Sequence, residues 1–178
     1  ARVLEACRGR LGLLAFAPLL LLMTACPTHQ PSCYEEVAKR KWQRLPTQAA
    51  ALRVFAEERF HDDAAPRDVA DSAAAACKAQ SQDRSDAEAA FFAARACNWL
   101  TYRGALPKWL DGDCVSFGEV AIQDGPEVAR YHYELAIAIG LEVRSASVKS
   151  ALLNIAWLVS VLEKVIELDE AIDGGSPL

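Results

Sequence analysis

Apolar side chains recur every three or four positions through most of this chain, and the filler between them is alanine. Thirty-three of the 178 residues are alanine against nine glycines, with an unbroken run at Ala73–Ala76. Alanine pays no side-chain entropy on entering a helix and is the best helix former. A strand would instead require apolar and polar residues to alternate, and no window of more than four residues does so strongly. An all-α fold is therefore expected. The hydrophobic fraction of 52% is enough for a real core and excludes a wholly disordered chain. The net charge of −5 excludes a basic footprint of the kind that grips a phosphate backbone, so no nucleic-acid partner is expected.

Local signals divide the chain into helices. A short one is expected from Tyr34 to Arg44, stopped ahead of Pro46. Thr47 is placed to cap a second, whose Ala49, Leu52, Phe55, Ala56 and Phe60 share a face. Pro66 suits the first turn of a third, running through the alanines to about Lys78. Ser85 and Glu88 have capping-box spacing for a fourth, with Ala89, Phe92, Ala93, Ala96, Trp99 and Leu100 as its stripe. Residues 104–125 are rich in Gly, Pro and Asp and leave room for a short helix near Phe117–Ile122. Pro126 is expected to open a fifth major helix, in which Ala136 and Gly140 form a small-residue notch for close approach of a neighbour. The last helix spans about Val148 to Glu170, with Leu152, Ile155, Val159, Leu162 and Ile166 spaced by three and four. Repeated helix–turn–helix units of this kind predict antiparallel pairs stacked as an α-solenoid.

The N-terminus has a different character. Arg2, Arg8 and Arg10 precede the uncharged stretch Leu11–Met23, and Thr24-Ala25-Cys26 follows. That is the order of a secretory signal peptide, and its 13 apolar residues are too short for the ~30 Å hydrocarbon layer. Thr-Ala-Cys also resembles a bacterial lipobox, with Met23 where Leu is usual, so residues 1–25 are expected to be a leader and Cys26 the acylated residue. An ordinary secreted protein with an incidental Cys26 is the alternative. Residues 26–32 serve as tether. Pro27 in place of Asp favours, by the same resemblance, the outer membrane over the inner one, with the body facing the periplasm. The leader's net +2 leaves the remaining 153 residues at −7.

Four further cysteines lie in that body, and an oxidising compartment lets them pair in three ways. Cys97 near a helix end and Cys114 beyond the next loop suggest one bridge, which leaves Cys33 with Cys77; buried free thiols remain the alternative. No Cys-x-x-Cys, phosphate-cradling glycine loop, His-Glu-x-x-His or nucleophile elbow is present, and no cofactor is expected. Glu57, His61, Asp62 and Asp63 gather near one helix end, where a His also interacts favourably with the helix dipole; Asp111-Gly112-Asp113 reads as a turn, lacking the Glu a calcium loop needs. No metal site is expected. Cys114 and His132 are the one candidate nucleophile–base pair, a cysteine in an oxidising compartment is usually bonded instead, and the chain is expected not to be an enzyme. Trp99, Tyr102, Trp109, Phe117, Tyr131, Tyr133 and Trp157 concentrate in the C-terminal half, as core or as the lining of a groove, with Trp109 in the irregular loop expected on view.

The segment from Tyr131 to Leu141 (Tyr-His-Tyr-Glu-Leu-Ala-Ile-Ala-Ile-Gly-Leu) resembles a helix of the T component of TRAP transporters, a family of tetratricopeptide-like bacterial lipoproteins. Val161–Asp169 is similar to the closing half of a tetratricopeptide pair, Asp169–Pro177 to the turn that follows, and Ala93–Leu100 to an end-of-repeat helix. Glu170 stands where Pro is common and Ser176 where Gly is common. The resemblance implies that residues 33–178 form a helical-repeat domain, truncated at its C-terminus, whose last helix lacks one neighbour. It implies a non-enzymatic scaffold, membrane-tethered by lipid, that binds a periplasmic protein such as a solute-binding subunit. Matching the family's positions, and adding the two tryptophans, gives a candidate groove of Trp99, Trp109, Tyr131, His132, Tyr133 and Gly140. A carrier of a small apolar ligand and a generic structural lipoprotein are the alternatives, and a homo-oligomer is compatible with each.

Overall fold

The computed structural model describes residues 31–39, 45–61 and 63–172. The leader, Cys26, most of the tether, the expected helix end at 40–44, Asp62 and the turn at 173–178 lie outside the described residues. Among the described residues seven α-helices follow one another: α1 (Cys33–Lys39), α2 (Ala49–Arg59), α3 (Pro66–Gln82), α4 (Ala87–Tyr102), α5 (Cys114–Asp124), α6 (Ala129–Ser145) and α7 (Val148–Leu168), with one 3-10 turn at Lys108–Leu110. No strand occurs among the described residues. Each helix from α2 onward packs on the next, and α1 also touches α3, α2 touches α4, and α4 touches α6.

The alanines explain why α3 and α4 sit at the centre. Ala73–Ala76, Cys77 and Ala79 of α3 are buried, as are Ala89, Ala90, Ala93, Ala94, Ala96 and Cys97 of α4. Side chains this small let the backbones approach, so α4 is enclosed by α2, α3, α5 and α6 and is buried well beyond the single stripe expected. Larger side chains close the space: Leu52, Leu100, Leu110, Phe117 and Leu135 are fully buried, each contributing about 1.5–3 kcal/mol. A second, smaller cluster of Leu135, Ala136, Ile139 and Val161 joins α6 to α7, with Trp157, Leu158 and Leu162 at its edge.

Two disulfides brace the body, Cys33–Cys77 between α1 and α3 and Cys97–Cys114 between α4 and α5, the two pairs suggested by the sequence. Polar ties add to them. The Ser72 hydroxyl donates to the Ala56 carbonyl at 2.7 Å, and the Tyr34 hydroxyl to Gln80 Oε1. Burial pushes the Tyr34 phenol up to about 12.

Several local expectations need correction. The N-cap of α2 is Gln48 without a side-chain bond, while Thr47 offers its carbonyl to Gln82 Nε2. For α4 the cap is Asp86, whose carboxylate accepts from Ala89 N at 3.0 Å; Ser85 is held instead by Asp83. α5 is longer than the Phe117–Ile122 segment, and α6 starts at Ala129 because Val128 N closes a turn onto the Gly125 carbonyl, leaving Pro126 in that turn. The notch at Gly140 meets nothing: a Cβ there would have no atom within 4 Å. Close approach occurs at Gly118, where an added Cβ would fall 2.9–3.0 Å from Leu135.

Candidate functional site

α4 and α6 lie side by side and carry most of the aromatic candidates, so the seam between them is where a groove would be built. Its start is a structural clasp. Arg130 donates through Nη2 to both carboxylate oxygens of Glu88 at 2.8 and 2.6 Å, and Tyr131 donates its hydroxyl to Glu88 Oε2 at 2.6 Å. The Arg130 guanidinium lies over Phe91, 4.8 Å from the ring centroid, and Phe91 meets Tyr131 at 5.3 Å. Burial, followed by the bond to Glu88, raises the Tyr131 pKa. His132 is buried and its Nε2–H donates to the Pro126 carbonyl at 2.7 Å. These two residues hold the first turn of α6.

Trp109 is also buried, on the 3-10 turn, because the loop that carries it folds back onto the main core. The expectation that it would be on view is thus overturned. Trp99 is half-buried with the Arg103 guanidinium 5.0 Å from its ring centroid, and Tyr133 is half-buried. Tyr102, one turn beyond Asn98, is the exposed aromatic of α4, with 71% of its surface open.

Midway along the seam lies a polar centre that sequence reasoning missed. Asn98 Nδ2 donates to the Glu134 carbonyl and to Glu134 Oε2, both at 2.9 Å, and Arg95 Nε stands 3.9 Å from Oε1. Burial pushes the Glu134 carboxyl above the usual carboxylate range, opposed by the Asn98 bond and the Arg95 charge. Farther along, a cleft of about 350 Å³ opens between the end of α4, the loop to α5, and the α6–α7 junction. Thr101, Leu106, Cys114, Leu141, Glu142 and Asn154 contribute to its walls, and none of the six candidate groove residues does. Partial burial there raises the Glu142 pKa.

Cys114 is bonded to Cys97, so it is not paired with His132 as nucleophile and base. Among the described residues no group of three His, Cys, Asp or Glu side chains is arranged to hold a metal ion. Asp113 is spent on α1: its carboxylate accepts from Ser32 N and Ser32 Oγ at 3.0 Å and from Cys33 N at 2.9 Å. A carboxylate that reaches back 80 residues to cap a helix leaves no trace in local sequence. Gly112 before it takes φ +83°, the left-handed value that lets the turn aim Asp113 inward. The chain matches no known family, no curated protein and no solved structure. No helix among the described residues is long and apolar enough to cross a membrane.

Proposed function

We propose that this chain is a non-enzymatic helical-repeat protein, anchored by a lipid on Cys26 to the outer membrane and facing the periplasm, which binds a periplasmic protein partner as an accessory of a TRAP-type uptake system. The observation that carries the repeat reading is the pattern of neighbours. Alternate helices touch, α2 with α4 and α4 with α6, while α3 packs on both members of the first pair and α5 on both members of the second, a pattern that supports stacked tetratricopeptide-like pairs. In such a stack the layer of alternate helices forms the inner face, and Arg95, Trp99, Tyr102 and Tyr133 belong to it. An aromatic and Arg mixture is the composition of protein-binding hot spots. Two disulfides fit an oxidising compartment.

Two measurements test this reading. Cys26→Ser should move the chain from the membrane fraction to the soluble one; equal partition of both forms would remove the anchor. Gel filtration with a purified TRAP-type solute-binding subunit should give a complex that Tyr102→Ala weakens. Separate elution at micromolar concentrations would end the TRAP assignment.

The cleft supports a second reading, a carrier of a small apolar ligand, since Leu106, Ala138 and Leu141 give it an apolar wall at the lower end of ligand-site volumes. Native mass spectrometry of the freshly isolated chain would then show a bound molecule, and a spectrum of bare protein would decide against it.

A further inference from the structure

α7 carries two apolar faces, and only one of them is used. Val161, Val165, Leu158 and Trp157 turn toward α6. Val148, Leu152, Ile155, Val159 and Ile166 stay exposed, from 44% at Ile155 to 79% at Val148, and Leu162, half-buried at the edge of the α6–α7 cluster, completes the row. These six positions step by four, three, four, three and four residues, the a/d spacing of a coiled-coil seam carried through the whole helix. Scattered apolar residues on a surface are ordinary, but an unbroken heptad seam specifies another helix as its cover.

We propose that a second copy of this chain covers it, with the two α7 helices antiparallel about a two-fold axis level with Trp157. In that register all the core layers are filled at once: Val148 meets the partner's Ile166, Leu152 the partner's Leu162, and Ile155 the partner's Val159. Charge selects the orientation. The exposed line beside the seam reads Lys149, Ala156, Glu163. The antiparallel pairing sets Lys149 of each copy against Glu163 of the other and places the two Ala156 residues, small enough for close approach, at the axis. A parallel pairing would instead bring the acidic ends, Glu163, Glu167 and Glu170, together. Lys149 and Glu163 have no ion-pair partner among the described residues, whereas Lys164 is already bonded to Glu167 at 3.0 Å. The interface is isologous and independent of the proposed transport role.

Sedimentation velocity of the purified chain tests it. The chain should be a dimer at micromolar concentration, and Ile155→Asp should make it a monomer with an unchanged helical circular-dichroism spectrum. Each of Lys149→Glu and Glu163→Lys turns two attractive contacts into repulsive ones, so each should raise the dimer dissociation constant about tenfold. The double variant Lys149→Glu/Glu163→Lys should return it to within about twofold of the parent. A chain that stays monomeric at about 100 µM overturns the proposal, whether or not it binds phospholipid vesicles in that state. So does a dimer whose affinity ignores the charge reversals, since it uses another face or another register.

Discussion

Asp113 is the residue that caps the start of α1. Its carboxylate satisfies two backbone N–H groups at the start of α1 and one hydroxyl, and it is 2% exposed, so solvent cannot replace it. Asp113→Ala should cost about 1–3 kcal/mol in urea unfolding, because buried donors are left without an acceptor. Asp113→Asn, which keeps one acceptor oxygen, should cost less. Glu134 offers a contrasting case. Its folded pKa is raised by burial, so the stability linked to it is fully present below the ordinary Glu value and is lost as pH rises through the raised one. Glu134→Gln keeps an acceptor for Asn98 and carries no charge, so its stability relative to the parent should improve as pH is raised above the ordinary Glu value. A parallel pair of pH–stability curves would refute that. Neither residue was legible in the sequence. A Glu in a mixed helix reads as solvated, and a turn Asp reads as local, until tertiary contacts say otherwise.

Helices were legible where composition spoke for itself, as in the alanine runs of α3 and α4 and the apolar steps of α7. Their ends were less so, because Asp86 and Val128, rather than Ser85 and Pro126, were selected by side-chain and turn bonds with several local competitors. The same limit applies to glycines inside helices. Gly118 and Gly140 look alike in sequence, yet only Gly118 faces a neighbour. Gly118→Ala should destabilise by about 1–3 kcal/mol, since its Cβ would press on the Leu135 backbone and side chain at 3.0 Å or less. Gly140→Ala should stabilise by about 0.5–1 kcal/mol, having open space and a helical site. Thermal melts of the two variants would reveal opposite signs. Periodicity also fixed which residues of α7 are apolar without fixing which face is inside. Two stripes compete, and α6 takes the one with Val161 and Val165.

At the scale of the whole molecule, burial falls away from α4 toward both ends. α4 is enclosed by four helices, whereas α7 rests chiefly on α6. Amide exchange at concentrations where the chain is monomeric should be slowest in α4 and in the buried stretch of α3. α7 should exchange through an opening that leaves the rest intact. Uniform protection across all seven helices would mean a single cooperative unit instead. The aromatic residues gave the weakest guide at this scale: Tyr131, His132 and Trp109 turned out to clasp the fold, while Tyr102, from the same cluster, faces solvent. A further consequence attaches to the Asp113 cap. By holding Cys33 N beside its own neighbour Cys114, it draws one cysteine of each bridge into the same corner of the body. A reduced chain that docks α1 before it oxidises therefore holds Cys33 and Cys114, which do not pair in the fold, in that corner together. Cys33–Cys114 is the crosslink to look for by peptide mapping when refolding is carried out without an isomerase, and it should diminish in Asp113→Ala.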